Sequence, residues 1–481
     1  MRLALNYQRV DPTKGGAETY VADLCGALVH AGHQVDLYAN YWREGVLPPE
    51  VRCVRVEANG WSKAQRLWDF AVRSESLLRQ TTYDCSVGLI NTWYHDVLIP
   101  QGGVHAASLE ANARRFPPGV RRRLYLAGKA VNLPRALLYR RIEAKQYDPA
   151  RRTRVVAVSE MVRGHLERFH GVPRDRIRVI PNAIDAGRLA VADPATVRAE
   201  VRFQLGLTPD DLTALFVGHN FRLKGLCPLL DALAHRKARA PQARPIHLLV
   251  CGGGKLAPFR TRVARLGLAD TVHLIGFVPD IRSYFHASDF FVLPTYYDPC
   301  SLVVFEALAC GLPVVTTACN GAGELITEGR EGFVVESPEA MVPLADAFDR
   351  LAIDSNRRLM SEQAARLGRA QSFGQHVTRL ISLFEEVAES SGQRALFAVG
   401  RKSVGSGQWA ERKWAVGSGQ WAVDAKRTQR PRRTNPTTPP NEPNDPAERT
   451  QRPRRTNPTA ILAVAFLEEK NQWCASHALQ F

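Results

Sequence analysis

The sequence lacks long apolar runs, and none approaches the roughly 18 apolar residues that a membrane-spanning helix needs. Residues 1–7 are apolar only briefly and are not followed by a cleavage-type site, which predicts a first strand and not a secretion signal. Hydrophobic residues make up 45% of the 481 residues, enough for the cores of two or three domains. We therefore expect a globular protein of the cytoplasm without a membrane-spanning helix.

Cysteine is sparse and unpatterned. The chain has nine cysteines, an odd number, and they form neither a Cys-x-x-Cys pair nor a Cys and His spacing typical of metal ligands. This pattern argues for a reducing compartment and against a structural metal site. We expect free thiols in the reducing environment of the cytosol.

Acidic residues are outnumbered, because 64 Lys and Arg face 47 Asp and Glu, for a formal net charge of +17. Much of the excess lies in residues 114–154 and in the tail after about residue 394, and neither region carries a nucleic-acid-binding motif. Basic and apolar residues mix in residues 120–131 and 137–142, which predicts basic amphipathic helices. Such helices suit an anionic membrane surface or an anionic lipid acceptor, and they equally suit a solvated basic face packed on its own domain.

Short apolar strands alternate with helical segments through most of the chain. The strands predicted in the first half include 2–7 and 34–38, and those predicted in the second half are 213–217, 246–251, 272–275, 289–293 and 314–317. Such alternation predicts parallel sheets with right-handed crossovers. Two such series in one chain predict the α/β fold class, with two Rossmann-like domains that face a cleft.

Domain boundaries are predicted from the same alternation. The first domain covers residues 1–182 and the second covers residues 183–372, with a hinge in the segment Pro-Asn-Ala-Ile-Asp at 181–185. Residues 373–392 form a final helix. The remaining residues, 393–481, make a tail of different composition.

This tail contains two internal repeats. Residues 404–410 recur at 416–422, and residues 428–437 recur at 450–459. Repeats this short, polar and rich in proline cannot bury a face, so the tail is predicted to be disordered. A basic arm that binds nucleic acid or a membrane is the alternative.

Residues 295–317 join strand, turn, helix, turn and strand, with two acids at a fixed spacing. Seven residues separate Asp298 from Glu306. A turn opens a helix predicted over residues 302–309, which stops at Gly311 as helices commonly do. Carboxylates placed in this way can accept hydrogen bonds from sugar hydroxyls.

The start of this helix has free backbone amides around Cys300, Ser301 and Leu302. A helix N-terminus favours an anion, such as the diphosphate of a nucleotide. The alternative is an ordinary strand-to-helix corner with two surface acids.

The arrangement resembles the signature of the family 4 (group 1) retaining glycosyltransferases of GT-B fold, in which an acid, seven residues and a Glu precede a small-Gly-x-Pro-Val turn. Here Asp298 and Glu306 are the acids, and Ala-Cys-Gly-Leu-Pro-Val at 309–314 is the turn. The first acid is usually Glu in the family. The resemblance covers residues 1–390 and implies that Glu306 binds the nucleotide ribose, that Asp298 binds donor-sugar hydroxyls, and that helix 373–392 packs back on the N-terminal domain.

Residues 215–226 carry a second part of the resemblance. Many relatives have an Arg directly after a Gly and a Lys six residues after that Gly, both of which bind the diphosphate. Gly218 and Lys224 match, whereas His219 stands at the Arg position and Arg222 lies two residues before the lysine. Cations here would stabilise the charge of the departing diphosphate. The pattern resembles the bacterial lipopolysaccharide core glucosyltransferase subgroup, and the alternative is a basic, solvent-facing helix start.

Two glycine loops precede helices in the first half. Gly15 and Gly16 permit positive φ and a close backbone approach to a ligand, and they look like the family's loop where acceptor and donor phosphate meet. His105 follows a second glycine turn, where the family often has a polar residue close to the reacting sugar. A single His is more often structural, and a functional His105 would orient the donor sugar or the acceptor. Asn182 matches a recurrent family segment, with a structural hinge role favoured.

The resemblance implies a retaining hexosyltransferase with a nucleotide-sugar donor, a UDP-sugar being favoured, and a glycan or lipid-linked acceptor of lipopolysaccharide or cell-envelope type. Its catalytic candidates are Asp298, His105 and Lys224. Members of this fold generally need no metal, and the chain has no Asp-x-Asp motif at a strand end, so no cofactor is expected. The basic region adds an expected contact with the inner face of the cytoplasmic membrane.

Three alternatives stay open. One is a starch or sucrose type transferase with a soluble product. Another is a GT-B protein that binds glycans or nucleotides but has lost turnover, which Asp298 and His219 favour because both depart from the family pattern. Nucleic-acid binding through the basic tail is the third, and it would require an affinity that falls steeply with salt. No specific nucleic-acid partner is expected.

Overall fold

The computed structural model describes residues 1–390, except for the placement of residues 117 and 132 and the side chains of residues 129–136. The tail 393–481, with its repeats and its predicted disorder, lies outside the described residues. Within the described part of the chain, no helix is both long enough and apolar enough to span a bilayer.

The first half of the chain forms a seven-stranded sheet with helices around it. The strands of this half, seven in the sheet and two in a separate pair, are β1 (Arg2–Asn6), β2 (Arg9–Val10), β3 (Gln34–Ala39), β4 (Tyr41–Trp42), β5 (Arg52–Arg55), β6 (Cys85–Gly88), β7 (Val97–Leu98), β8 (Arg154–Ala157) and β9 (Ile177–Val179). Its helices are α1 (Gly16–His30), α2 (Lys63–Leu78), α3 (His105–Arg114), α4 (Val120–Val131), α5 (Leu133–Gln146) and α6 (Glu160–His170). The sheet is parallel throughout, in the order β5-β3-β1-β6-β7-β8-β9, and β2 pairs with β4 separately.

The second half repeats this plan with six strands. These are β10 (Leu212–Val217), β11 (Ile246–Cys251), β12 (Val272–Gly276), β13 (Phe290–Leu293), β14 (Val314–Thr317) and β15 (Gly332–Val335). They are parallel, in the order β12-β11-β10-β13-β14-β15. The helices are α7 (Pro194–Gln204), α8 (Leu226–Arg239), α9 (Ala257–Arg265), α10 (Arg282–Ala287), α11 (Leu302–Ala309), α12 (Met341–Ala352), α13 (Asp354–Ala370) and α14 (Phe373–Ser390). Short 3-10 helices lie at Arg174–Arg176, Ala186–Leu189 and Gly321–Leu325.

The strands of the second sheet are covered by helices on both faces, which is why their sequences are continuous apolar runs. Every residue of β13 and β14 is buried, as are the first five residues of β10. Phe291 pairs with Val314 on one side and with Leu215 on the other. Because the strands are parallel, the loops after β10 and β13 emerge at the same sheet edge, where the predicted acids and lysine lie.

Helix α14 returns to the first half of the chain and contacts α1 and β6. His376 Nε2 lies 2.8 Å from the Tyr20 hydroxyl, and His376 Nδ1 lies 2.8 Å from the carbonyl oxygen of Pro181. Phe373 packs edge-on against Tyr20, with ring centroids 6.2 Å apart. Burial lowers the pKa of His376 to about 4, so the ring is neutral near pH 7. The domain boundaries at 182 and 372 stay predictions.

The two parallel sheets confirm the predicted α/β fold class. Strands β11 and β14 and helix α11 have the predicted bounds, and the other predicted strands differ by one residue at an end. The two basic segments are helical, in α4 and α5, as predicted. Strand β15 was not predicted, because its glycine start and short length give a weak sequence signal.

Candidate active site

Asp298 lies in the turn between β13 and α11, and hydrogen bonds fix its backbone on both sides. Its amide donates to the carbonyl oxygen of Cys319 at 3.0 Å, and its carbonyl oxygen accepts from the amide of Gly321 at 2.9 Å. The residue is 8% exposed. The carboxylate therefore starts from a rigid, nearly buried position at the end of a strand.

Lys224 reaches Asp298 from the loop after β10. Its Nζ donates to Asp298 Oδ2 and forms an ion pair between residues 74 positions apart. The carbonyl oxygen of Leu223 accepts from the Tyr296 amide at 2.9 Å and from the Thr295 hydroxyl at 3.1 Å, which fastens the two loops together. The structure thus brings together two of the predicted catalytic residues from separate motifs.

Two glycines allow these loops to pack so closely. Gly225 has φ +82°, and a Cβ there would lie 1.7 Å from the carbonyl oxygen of Pro294. At Gly252, φ is +136°, and a Cβ would lie 1.9 Å from the carbonyl oxygen of Gly218. Backbone contacts of this kind exclude any larger residue, so the loop around Gly218 and Lys224 has a fixed shape.

His219 and Arg222, the two candidates for the usual diphosphate-binding arginine, are both exposed. Within the described residues, no hydrogen bond or ion pair links either side chain to Asp298, whose cationic partner is Lys224. The His219 ring lies beside Gly253, where a Cβ would come within 3.0 Å of Nδ1. Arg222 is therefore close to Lys224 in sequence but takes no part in the ion pair of Lys224 with Asp298.

The start of α11 forms part of the predicted anion site. The Ser301 side chain does not cap the helix, and the Ser301 amide donates to Asn320 Oδ1 at 3.3 Å. The carbonyl oxygen of Cys300 accepts from Asn182 Nδ2 at 3.0 Å. The amides that a helix leaves without an intrahelical acceptor begin at Leu302. Of the three predicted amides, that of Ser301 already has a partner in the protein.

Glu306 lies one turn along α11 in a pocket of about 120 Å³. Residues of α1, the hinge, α11 and α14 line the pocket, among them Gly16, Asp23, Arg188 and Leu302. Burial raises the pKa of Glu306 to about 7, and the charge of Arg188 opposes that rise. Arg188 also donates to Asp23 at 2.7 Å. Burial raises the pKa of Asp23 to about 6, so two carboxyl groups share one arginine.

The glycine loop before α1 differs from its prediction in one respect. Gly15 is extended, with φ 163°, and Gly16 is an ordinary helical residue, so neither uses the left-handed conformation that glycine allows. The close approach is real but is made to protein, because a Cβ on Gly16 would lie 3.1 Å from Leu302 Cδ1. The loop thus abuts the start of α11 across the cleft.

His105 is the first residue of α3. Its amide donates to Glu143 Oε1 at 2.6 Å, and its ring stacks on Tyr139 with centroids 4.6 Å apart. The preceding amide, of Val104, donates to the hydroxyl of Tyr297 at 3.0 Å. Because Tyr297 directly precedes Asp298, the His105 loop lies against the turn that carries the acid.

Three further residues of this region were missed by sequence reasoning. Asn320 caps the turn before α11, and Arg188 supplies the positive charge near Glu306. Glu324 accepts from the amides of Glu160 and Met161, at 2.7 and 2.6 Å, at the start of α6 on the opposite side of the cleft. Only Arg188 had a sequence signal, as a basic residue just after the predicted hinge. The other two depend on contacts between distant segments.

Comparison with known families gives two matches in chain order. Residues 14–188 match Glycosyltransferase Family 4, and residues 197–368 match Glycosyl transferases group 1. The first match falls on the seven-stranded sheet, and the second falls on the six-stranded sheet with Lys224, Asp298 and Glu306. Together they span both sides of the cleft.

Curated relatives include a D-inositol 3-phosphate glycosyltransferase of Pseudarthrobacter chlorophenolicus, 34% identical over 48% of this chain and 54% of that protein. The match therefore spans about half the length of that relative. A probable transglycosylase of Burkholderia thailandensis is 29% identical over 78% of this chain and 94% of that protein.

Solved structures of similar fold include WaaG, a glycosyltransferase involved in lipopolysaccharide biosynthesis, with a TM-score of 0.65 and 20% identity over 79% of this chain and 99% of WaaG. HepE of Anabaena, solved with UDP-glucose, has a TM-score of 0.59 and 18% identity over 82% of this chain and 100% of HepE. These likenesses concern the fold. With both family matches and the predicted motifs in one cleft, the chain belongs to the family 4, group 1 glycosyltransferases and has their GT-B fold.

Proposed function

We propose that the protein transfers a hexose from a nucleotide sugar, with a UDP-sugar favoured, to a hydroxyl group of an acceptor. The acceptor is a glycan or a lipid-linked molecule of lipopolysaccharide or cell-envelope type. The transfer retains the configuration of the anomeric carbon. The observation that carries this proposal is the ion pair of Lys224 with Asp298 beside the uncapped start of α11. It supports a site where a sugar and a diphosphate can be bound side by side.

The donor would lie along α11. The pocket around Glu306 suits a ribose, because a carboxylate can accept hydrogen bonds from both ribose hydroxyls. The amides from Leu302 onward and the ammonium of Lys224 suit the diphosphate. Asp298 then has one carboxylate oxygen on Lys224 and the other available to donor-sugar hydroxyls.

In the proposed reaction, the acceptor hydroxyl oxygen attacks the anomeric carbon on the face that the diphosphate leaves. The bond from that carbon to the phosphate oxygen breaks through an oxocarbenium-like state, and the nucleoside diphosphate departs. The hydroxyl proton passes to the leaving phosphate oxygen. Lys224, with Arg222 as a second cation near the cleft, stabilises the charge that develops there. His105 orients the donor sugar or the acceptor from the opposite side.

We propose that no metal is needed, because Lys224 and the helix amides can neutralise the diphosphate. Within the described residues, no group of three or more His, Cys, Asp and Glu is arranged to hold a metal ion. Turnover of UDP-glucose is expected to be unchanged by EDTA. A loss of turnover that Mg²⁺ or Mn²⁺ restores would contradict this part of the proposal.

The direct test is calorimetric binding of UDP, GDP and ADP to the full chain and to its Glu306→Ala variant. Glu362→Ala is the matched control, since Glu362 is exposed on α13 of the same half. We expect one nucleotide to bind the wild type and the control, and to bind Glu306→Ala at least about 10-fold more weakly, as for loss of a hydrogen bond to a charged group. Absence of binding by all three would contradict a donor site.

A GT-B protein without turnover is the second candidate, favoured by Asp298 and His219 at positions where the family usually has Glu and Arg. Labelled UDP-glucose separates the two candidates. Release of labelled sugar, to water or to an acceptor, supports the enzyme. Tight UDP binding with no release from UDP-, GDP- or ADP-sugars supports the binding protein.

We also propose that α4 contacts an anionic membrane surface. Val120, Leu124 and Leu126 are 71%, 65% and 40% exposed, and three consecutive arginines, 121–123, lie between them. Apolar side chains beside basic ones suit the interface of an anionic bilayer. The expected result is that vesicles containing phosphatidylglycerol bind the protein and that Leu124→Glu weakens binding. Leu359→Glu is the control, because Leu359 is 64% exposed on α13. Equal binding by both variants would contradict the proposal.

A further inference from the structure

We propose that Tyr297 is a positioning residue, whose hydroxyl holds the His105 loop of one half against the Asp298 turn of the other. The inference rests on the proposed function, because positioning matters only if both loops contact the substrates. It assigns no chemical step to Tyr297 itself. The residue would act by fixing the distance between the two sides of the cleft.

The contact of Tyr297 is made to backbone. The Val104 amide donates to the Tyr297 hydroxyl at 3.0 Å, and that hydroxyl lies 3.4 Å from the carbonyl oxygen of Val104, within reach to donate in return. Both residues are buried, Val104 completely and Tyr297 at 5% exposure. Without the phenol, the Val104 amide would lose its acceptor in a place that is closed to water.

Gly103 supplies an independent sign that the two loops are fitted to each other. It has φ +67°, and a Cβ there would lie 2.2 Å from the Tyr297 hydroxyl and 2.8 Å from Pro299 Cγ. Glycine at this position therefore allows both the left-handed backbone and the approach of the opposing turn. The phenol occupies the space that a side chain at residue 103 would need.

The contact lies one residue away from a candidate on each side. Val104 precedes His105, and Tyr297 precedes Asp298. A movement of the His105 loop away from the Asp298 turn would break this hydrogen bond. Reactions between bound groups lose much rate when the groups are displaced by about 1 Å. Tyr297 is therefore expected to affect turnover more than nucleotide binding, which Glu306 and Lys224 provide from the half that carries Tyr297 itself.

The experiment compares Tyr297→Phe with Tyr296→Phe in the full chain. Tyr296 is also a buried tyrosine, but its hydroxyl lies near Glu339 in its own half of the protein. Four quantities are measured: hydrogen exchange of the Val104 amide, UDP affinity, and kcat and KM for turnover of UDP-glucose. Tyr297→Phe is expected to speed exchange at Val104 and to lower kcat about 10-fold, with UDP affinity and KM within about 2-fold of wild type. Tyr296→Phe should leave exchange at Val104 unchanged.

A second variant tests the fit of the loops. Gly103→Ala should lower kcat in the wild-type background, and it should lower kcat by a smaller factor in the Tyr297→Phe background, because part of the clash is then removed. Equal effects of Gly103→Ala in both backgrounds, or unchanged exchange and kcat in Tyr297→Phe, would overturn the inference.

Failure of the proposed function gives a different result. In that case the wild type itself neither binds UDP, GDP or ADP nor turns over their sugars. The exchange rate of the Val104 amide would still show whether Tyr297 holds the loop. An unchanged rate in Tyr297→Phe would then overturn the inference separately.

Discussion

The two sides of the cleft are built in different ways. On the side of the six-stranded sheet, the candidate groups are charged side chains of Lys224, Asp298 and Glu306, all supplied by loops and a helix of one half. On the side of the seven-stranded sheet, the hydrogen bonds to the opposite side come from backbone amides, those of Val104 and Glu160, and from uncharged side chains, those of Ser159 and Asn182. The first side is suited to holding charge. The second side contributes mainly packing contacts and hydrogen bonds that fix the shape of the site, so most substitutions of its side chains should lower turnover less.

The largest effect is expected on the charged side, from Lys224→Ala. Loss of the ammonium leaves the departing diphosphate without its main cation and leaves Asp298 without its partner, so kcat for UDP-glucose should fall about 100- to 1,000-fold. Lys237→Ala is the control, because Lys237 is exposed in the same half and donates to a loop carbonyl oxygen. A fall of less than about 5-fold would contradict the contrast between the two sides, since this side would then not depend on its charges.

A smaller effect is expected for a charged side chain that crosses the cleft. Glu324→Gln keeps the shape but removes the charge that the start of α6 attracts. We expect exchange of the Glu160 and Met161 amides to rise about 5-fold, with UDP affinity unchanged. Glu328→Gln is the control, because Glu328 accepts an amide within its own half, at 3.1 Å from Val334. A large fall in UDP affinity would show that the two sides are not separate in function.

The pH dependence of UDP binding tests the role of Glu306 on the charged side. The pKa of Glu306 is about 7 because of burial, so its ionised fraction rises between pH 6 and pH 8. If ribose hydroxyls donate to the carboxylate, UDP affinity should rise over that range by up to about 10-fold. Glu306→Gln should lose this part of the rise and keep the part that comes from ionisation of UDP itself. An identical pH profile in both proteins would remove Glu306 from the nucleotide site.

The other charged groups of the pocket bear on the same profile. Arg188 lowers the pKa of Glu306, whereas Asp23, with a pKa of about 6, and Asp185 add negative charge nearby. Arg188→Gln should therefore move the midpoint of the profile to higher pH. Arg178→Gln is the control, since Arg178 pairs with the exposed Glu386.

The smallest effect is expected from Gly16→Ala on the side that supplies shape. The new Cβ would come within 3.1 Å of Leu302 Cδ1, the end of a side chain that can shift, so the KM for UDP-glucose should rise only about 2-fold. Gly164→Ala, in α6 with open space around it, should leave that KM unchanged and stabilise the protein by about 0.5–1 kcal/mol. Thermal unfolding measures the second effect. If Gly16→Ala instead weakened the apparent affinity for UDP-glucose by more than about 10-fold, the contact at this place would be rigid.

The local parts of this architecture could be predicted from the sequence. The strand, turn and helix around Asp298 depend on apolar runs, a Pro-containing turn and a glycine stop, which all act within about 25 residues. The two sheets could be predicted for the same reason, because the alternation of apolar strands with helices is a local signal in the sequence. A family resemblance assigned expected roles to Lys224 and Glu306, and those roles stay proposals.

Contacts between distant segments could not be predicted. The partner of Asp298 is 74 residues away, and nothing in either local sequence indicates the pairing. The hydrogen bond from Val104 to Tyr297 spans 193 residues. Gly15 shows the related limit for a single residue, since glycine permits the left-handed region, whereas Gly15 has an extended backbone at the N-cap of α1. The sequence shows which residues could form the site, but only the tertiary fold determines which of them are in contact.

The return of α14 to the first half sets an order of events during synthesis. Tyr20 is made among the first residues, but His376 and Phe373, which cover it, leave the ribosome after a further stretch of roughly 350 residues. At about 5–20 residues per second, Tyr20 is made roughly 20–70 s before the helix that covers it. During that interval the surface around Tyr20 is exposed in the nascent chain, and a chaperone that binds apolar surface is expected to occupy it until α14 emerges.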